Sequence, residues 1–279
     1  MYQLAVVNAK DNPLLFETAY NFLLPKEEFF CSLMHKVVQH DRNLYVVLNG
    51  SLVVSVFFYN GSTVLPCIVS CPQLEDIISC LSLFFKDADI FCVSGEESSV
   101  EFFKKAVKKS QHILPDEERN YILMKSESCP TQAVTARFAQ KSDEEKIFEM
   151  HVNFLCEEVL PQWKKESVKD IIPSERVSVS RAIEDSKIMV LENDGHIVSK
   201  AQITASTNNF ILLGGVYTDL SERNKGFAKK IILYGINHAF EQNKKAVLFV
   251  ENTNRIAFKC YSSAGFVPFG KHSILYYRK

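Results

Sequence analysis

Hydrophobic and polar positions fall into two series that repeat the same order of elements. In the second half, Ile188 to Glu192 reads as a strand and Asn193-Asp194-Gly195 as a hairpin turn. Ile197 to Ala205 is a second strand and Phe210 to Tyr217 a third. A helix is expected from Gly226 to Phe240, a strand at Ala246 to Val250 and a short helix from Arg255 to Ser263. Two strands, Phe266 to Phe269 and Ile274 to Tyr277, close the series. The first half offers strands at Leu44 to Leu48, Leu52 to Tyr59 and Val64 to Ser70, separated by turns at Asn49-Gly50 and Asn60-Gly61. A helix at Leu74 to Phe85, a strand at Ile90 to Val93, a helix at Val100 to Val107 and a strand at Tyr121 to Met124 follow. Residues 143–160 and 173–184 read as helices opening the second series, the latter starting at Pro173-Ser-Glu-Arg. Matching order without obvious sequence identity implies an internal duplication. Periodicity lapses at Ser126-Glu-Ser-Cys-Pro-Thr-Gln132, so the expected domains are 1–128 and 129–279. The fold class is α/β of the α+β type, each domain a mixed, mostly antiparallel central sheet flanked by helices.

The stretch from Gly214 to Lys230 carries the candidate chemistry. An apolar strand runs into a short polar loop, and a helix opens on a glycine flanked by cations. Such a helix start presents unpaired N–H groups and the positive end of the helix dipole, which suit a phosphate. Ala228, Ile231, Ile232, Gly235, Ile236 and Ala239 form one apolar stripe that docks the helix on a sheet, with Gly235 allowing close approach. Arg223 and Lys225 add charge at the loop, and Lys229 and Lys230 stand ready for a ribose phosphate. Taken alone, the loop fits a phosphate site and an ordinary turn about equally. Neither the Walker pattern nor the dinucleotide fingerprint is present.

The spacing Arg223-x-x-Gly226-x-Ala228, followed by Asn254-x-x-Ala257-x-x-x-Tyr261-x-x-x-Gly265-Phe266, resembles the two signatures of the GNAT acyltransferase superfamily, in order and at the usual separation. The resemblance covers roughly residues 130 to 279. Val216-Tyr-Thr with Glu222-Arg223 also looks like bacterial predicted acetyltransferases that carry a degenerate copy of the fold in front. It implies tandem GNAT-like domains, with acetyl-CoA as cosubstrate and no metal. By resemblance, the cofactor-binding set is Val216, Tyr217, Thr218, Arg223, Asn224, Lys225, Gly226, Phe227, Ala228, Asn254 and Phe258. Val216 and Thr218 would pair with the pantetheine arm, and the Val216 N–H would polarise the thioester carbonyl. Gly214-Gly215 would permit a local bulge. Tyr261 matches the general acid that protonates the departing thiolate, a role a phenol near pKa ~10 can fill. Glu251 is a weak candidate for the base, and Glu157 and Glu158 lie where the acceptor pocket is often lined. Cys260 lies ~100° around the helix from Tyr261 and reads as a packed thiol.

In the first half the loop after the third strand, Ile68-Val-Ser-Cys-Pro72-Gln-Leu-Glu, lacks arginine and glycine, and Glu75 and Asp76 would repel a pyrophosphate. That copy therefore reads as degenerate and supporting. Lys and Arg number 32 against 33 Asp and Glu, and neither half is markedly basic, which argues against nucleic acid and a membrane surface as partners. No Cys-x-x-Cys pair occurs, so the eight cysteines read as free thiols of a cytoplasmic protein rather than zinc ligands. The start shows no secretory signal, and no apolar run approaches the ~20 residues that span a bilayer. The histidines, His151, His196 and His238 among them, show no ligand spacing. The expected activity is acyl-CoA-dependent transfer of an acetyl group to a small amine or amino-acid-like acceptor by direct attack in a ternary complex. A non-catalytic acyl-CoA-binding or scaffold protein, and an enzyme acylating peptides, stay open, as does a homodimer.

Overall fold

The computed structural model describes residues 4–68, 74–130 and 134–278. The chain forms two compact units, Met1–Leu123 with Phe269–Lys279 and Met124–Pro268.

The first unit opens with β1 (Leu4–Asn8), α1 (Leu14–Leu23) and α2 (Cys31–Val38), three elements in a stretch to which the sequence pattern assigned none. Then come β2 (Leu44–Asn49), β3 (Leu52–Tyr59), β4 (Thr63–Ile68), α3 (Leu74–Phe84), β5 (Cys92–Glu96), α4 (Glu97–Gln111) and β6 (Glu117–Ser126). Strands β1 to β4 pair antiparallel in chain order, and β4 runs parallel to β5 through Thr63↔Cys92 and Val64↔Val93. One sheet face packs Phe57, Phe85 and Phe103 against α3 and α4, and the other packs Met34, Leu44 and Val56 against α1 and α2. Edge-to-face contacts of Phe57 with Phe84 and Phe103 and of Phe85 with Phe103, with Phe57 and Phe85 tilted to one another, fix the first of these layers. Residues 69–73, which include Cys71 and Pro72 of the segment expected to follow the third strand, lie outside the described residues.

The second unit repeats this order with β7 (Arg137–Phe138), α5 (Glu144–Phe154), α6 (Gln162–Lys165), α7 (Val168–Glu184), β8 (Ile188–Asn193), β9 (His196–Ser206), β10 (Phe210–Thr218), α8 (Phe227–Glu241), β11 (Lys245–Glu251) and α9 (Arg255–Ser263). Strands β7 to β10 are antiparallel neighbours, and β10 runs parallel to β11. Gly235 does bring α8 close to the sheet, since an added Cβ would sit 2.9 Å from Leu213 Cδ1.

Three expectations are corrected. Pro173 lies inside α7, which starts five residues earlier at Val168. The missing Pro N–H costs only the bond to Lys169, and the Ser174 hydroxyl donates to Ile171 O at 2.8 Å nearby. The helix expected at 143–160 is interrupted by a π-helical turn at Leu155–Val159. The two closing strands are one, β12 (Phe266–Tyr276), and its residues from His272 to Tyr276 pair antiparallel with β5 in the first unit. Leu275 and Tyr277 join the core of that unit.

Candidate acyl-transfer site in the second unit

Pairing of β10 with β11 stops at Leu212↔Val247, so Leu213 to Thr218 diverge from the neighbouring strand. On the opposite edge the register with β9 jumps from Gly214↔Gln202 to Tyr217↔Lys200. Gly215 and Val216 thus face the single residue Ala201 in a bulge, and Gly215 takes φ +59°, which favours glycine. The result is a strand end that stays paired to β9 through Tyr217 and Thr218 but has no ladder partner on its β11 side.

The chain then passes a 3₁₀ turn at Leu220–Glu222 into α8. Asn224 and Gly226 both adopt the left-handed conformation, at φ +66° and +82°, and nothing lies within 4 Å of where a Gly226 Cβ would be. No side chain caps α8, so the N–H groups of its first turn, from Phe227 and Ala228 onward, face outward. Phe227 is buried and anchors the turn, and Lys230 lies over its ring at 5.2 Å. The geometry fits an anionic diphosphate by helix dipole and free donors.

The loop cations are held by carboxylates. Arg223 Nη2 donates to Glu157 Oε2 at 2.7 Å and its Nε to Thr218 O at 3.1 Å, and the guanidinium lies 5.3 Å from the Tyr217 ring. Lys225 bonds Glu222 at 3.1 Å. Glu157 also accepts from Tyr217 Oη at 3.2 Å. Burial first, and then the Glu157 charge, raise the Tyr217 phenol above its ordinary value. Thr218 is buried, and its hydroxyl meets Ser199 Oγ at 2.9 Å.

Within the π turn at Leu155–Val159 the adjacent residues Glu157 and Glu158 reach different partners. Glu158 bonds Asn254 and faces Glu251 and Tyr261. Burial, then the Glu251 charge, push the Glu158 carboxyl above the usual range, and the Asn254 bond opposes them. Asn254 Oδ1 caps α9 by accepting from the Ala257 N–H at 3.0 Å. One helical stretch later, Tyr261 sits with its phenol raised by burial, then by Cys260 and Glu158, so it keeps its proton at neutral pH. Phe258 is half-buried on the same helix, and burial also raises the Cys260 thiol. Residues separated by about a hundred positions in sequence thus form one polar group: Glu158, Glu251, Asn254 and Tyr261.

Glu157 and Glu158, placed by resemblance near the acceptor pocket, meet Arg223 with Tyr217 and Asn254 respectively, partners that sequence spacing does not name. Lys200 is a further residue of the site, and a lysine inside the apolar run Ile197 to Ala205 is its signal in the sequence. It is 1% exposed and donates to Gly215 O at 2.9 Å. Among the described residues no group of three His, Cys, Asp or Glu is placed to hold a metal, and no helix is long and apolar enough to cross a membrane.

Residues 151–266 match the family model described as acetyltransferase (GNAT) family. Among solved structures, an acetyltransferase from the GNAT family of Colwellia psychrerythraea has a TM-score of 0.58 at 11% identity, covering 99% of this chain and 100% of that one. A GCN5-related N-acetyltransferase from Sphaerobacter thermophilus gives 0.62 at 13% identity, covering 98% and 94%. A tandem GNAT protein from the clavulanic acid biosynthesis pathway gives 0.52 at 8% identity, covering 99% and 98%. At these identities the likeness is one of fold. No protein of curated function matches the chain.

Proposed function

We propose that this chain, which carries a GNAT acetyltransferase domain over residues 151–266, is an acyl-CoA-dependent N-acyltransferase that moves an acetyl group to a small amine or amino-acid-like acceptor. The observation that carries the reading is the combination, in one unit, of a strand that parts from its neighbour after Leu212 and an uncapped helix start at Gly226. In this reading Arg223, Asn224, Lys225, Gly226 and the Phe227 and Ala228 N–H groups hold the diphosphate. The freed edge from Val216 to Thr218 receives the pantetheine arm, with Asn254 and Phe258 on its far side.

For catalysis, the Glu158 and Glu251 pair takes the proton of the incoming ammonium. A carboxyl held above its usual range by burial and by a second carboxylate suits that task better than either group alone would. The amine nitrogen then bonds to the thioester carbon while the Val216 N–H receives the charge that develops on oxygen. As the C–S bond breaks, Tyr261 gives its proton to the sulfur; the second proton of the attacking nitrogen leaves as the amide forms and resets the tyrosine, and the proton collected at the carboxylates passes to solvent. The first copy of the fold, over 1–128, is degenerate in this reading and 129–279 the active one.

The test is an amine and amino-acid panel with acetyl-CoA, read by released CoA thiol, on wild type and Glu158→Gln. Transfer by wild type that falls at least tenfold in the variant supports the reading. Binding of acetyl-CoA without transfer to any member would favour the non-catalytic alternative.

A further inference from the structure

Lys200 is placed where apolar residues surround it. Its strand neighbours on the same sheet face are Val190 and Tyr217, and Phe154 lies over the ammonium nitrogen at 5.3 Å. Burying an amine there without a carboxylate is costly, so the position calls for an explanation other than packing. The duplication supplies an internal control. Counting from the hairpin, Val190↔Lys200 in the second unit corresponds to Val46↔Val56 in the first, and both hairpins shift register one pair further on, after Leu191↔Ser199 and Val47↔Ser55. Even the neighbouring serines agree: Ser55 Oγ bonds Cys67 O at 2.7 Å, and Ser199 Oγ bonds Tyr217 O at 3.2 Å. Val56 is fully buried, and the strand beside it, β4, pairs with β3 in continuous register from Tyr59↔Val64 to Ser55↔Ile68. Valine thus goes with a regular third strand, and lysine with a bulged one.

The bulge explains the lysine. With Gly215 and Val216 out of the ladder, the Gly215 carbonyl has lost its strand partner, and Lys200 Nζ replaces it at 2.9 Å. The Gly215–Val216 peptide is trans, so its N–H points away from the carbonyl that the lysine holds. We propose that Lys200 is a positioning residue for acyl transfer: by fastening the Gly215 carbonyl it locks the bulge and polarises the peptide whose Val216 N–H meets the thioester oxygen. A donor on the carbonyl end of an amide strengthens the hydrogen its nitrogen gives, because hydrogen bonds in a chain polarise one another. This rests on the acyltransferase reading above.

The charge on Lys200 then matters. Burial alone pulls its amine down to about 7, so it changes charge near neutral pH. Charged groups on the surrounding elements are engaged elsewhere: Glu157 with Tyr217 and Arg223, Glu158 with Asn254, His151 with Glu175, and Glu192 with Arg137. The ammonium form polarises the peptide more than the neutral amine, so kcat steps down as pH rises through this titration.

The experiment compares wild type, Lys200→Met and Lys200→Gln for acetyl-CoA affinity by calorimetry and for kcat from pH 6 to 8.5, with an acceptor amine that stays neutral over that range. The expected result is a kcat lowered roughly tenfold to a hundredfold in Lys200→Met, below the full worth of an oxyanion donor because the lysine acts through the peptide. Acetyl-CoA affinity stays within about threefold, since a lost transition-state contact lowers kcat rather than ground-state binding. The step near neutral pH disappears in both variants. Should the methionine variant not fold, the glutamine variant and the wild-type profile decide, and a flat wild-type profile overturns the proposal. Wild-type kcat and pH step retained by either folded variant overturn it too while leaving the acyltransferase reading intact. Failure of the wild type to bind acetyl-CoA overturns both.

Discussion

The same two elements, the third strand and the helix that follows the parallel strand, are stitched together in the first unit and left apart in the second. In the first unit the Ile68 N–H at the end of β4 donates to the buried Ser99 hydroxyl in the first turn of α4, at 3.3 Å. Pro66 fills the space opposite Gly95, where an added Cβ would meet it at 3.1 Å. The N-terminus of α4 is already neutralised by Glu96, whose carboxylate accepts from the Ser98 and Ser99 N–H groups at 3.1 and 3.0 Å. In the second unit a neutral asparagine caps the corresponding α9 and β10 bulges, while the parallel pairing of the third strand is short in both units, two pairs in the first and three in the second. Glu75 and Asp76 occupy the first turn of α3, where α8 has no acidic residue. One frame therefore serves two ends. Both units hold a core, but side chains close the gap in the first, whereas the second leaves it open for the ligand proposed above.

The largest effect should come from ending the chain at Pro268. The first unit would lose the strand that pairs with β5, along with Leu275 and Tyr277 from its core. Amide exchange protection across β2 to β5 is expected to collapse, and retained protection there would show that the first unit does not need the C-terminal strand. Next, Tyr261→Phe should lower kcat roughly 10²- to 10⁴-fold with acetyl-CoA affinity retained, as removal of a general acid does. Full turnover in that variant would remove Tyr261 from the mechanism.

A third test uses pH to separate the units. His272 belongs to the first, buried beside Tyr121 with Ser94 Oγ 3.0 Å from Nε2, and burial lowers it to about 4. Below the ordinary value near 6.5 the unfolded chain takes up a proton that the folded one refuses until about pH 4. Stability present above pH 6.5 is therefore lost as pH falls toward 4, by up to about 3 kcal/mol. His272→Phe should flatten that acid limb in thermal melts, and an unchanged limb would assign it to other groups. The smallest effect concerns charge. Arg223→Glu should weaken acetyl-CoA binding about tenfold, since a tenfold change is only ~1.4 kcal/mol. Asp76→Lys in the first unit should leave it unchanged, and equal responses would erase the contrast between the helix starts.

How much of this was legible depended on whether the signal was local. Gly226, Asn254 and Tyr261 stand out because fixed spacing on a helix or loop is written in the chain, and the repeated strand order shows in alternation. Gly214-Gly215 announced the bulge for the same reason. What stayed hidden depends on partners. The pattern at Ile274 to Tyr277 says strand but not which sheet receives it, because alternation specifies a buried face and not a neighbour. The π turn at Leu155–Val159 has no periodic signature, and a lysine inside an apolar strand does not by itself name the carbonyl it bonds. Residues 4 to 38 hold a strand and two helices whose short amphipathic runs gave weak periodicity.

If the second unit alone holds acyl-CoA, as proposed, hydrogen–deuterium exchange of the whole chain with and without acetyl-CoA localises the effect there. Protection is expected at Gly214 to Lys230 and around Asn254 to Tyr261, with β4 and α3 of the first unit unchanged. Protection confined to the first unit, or equal in both, would contradict it.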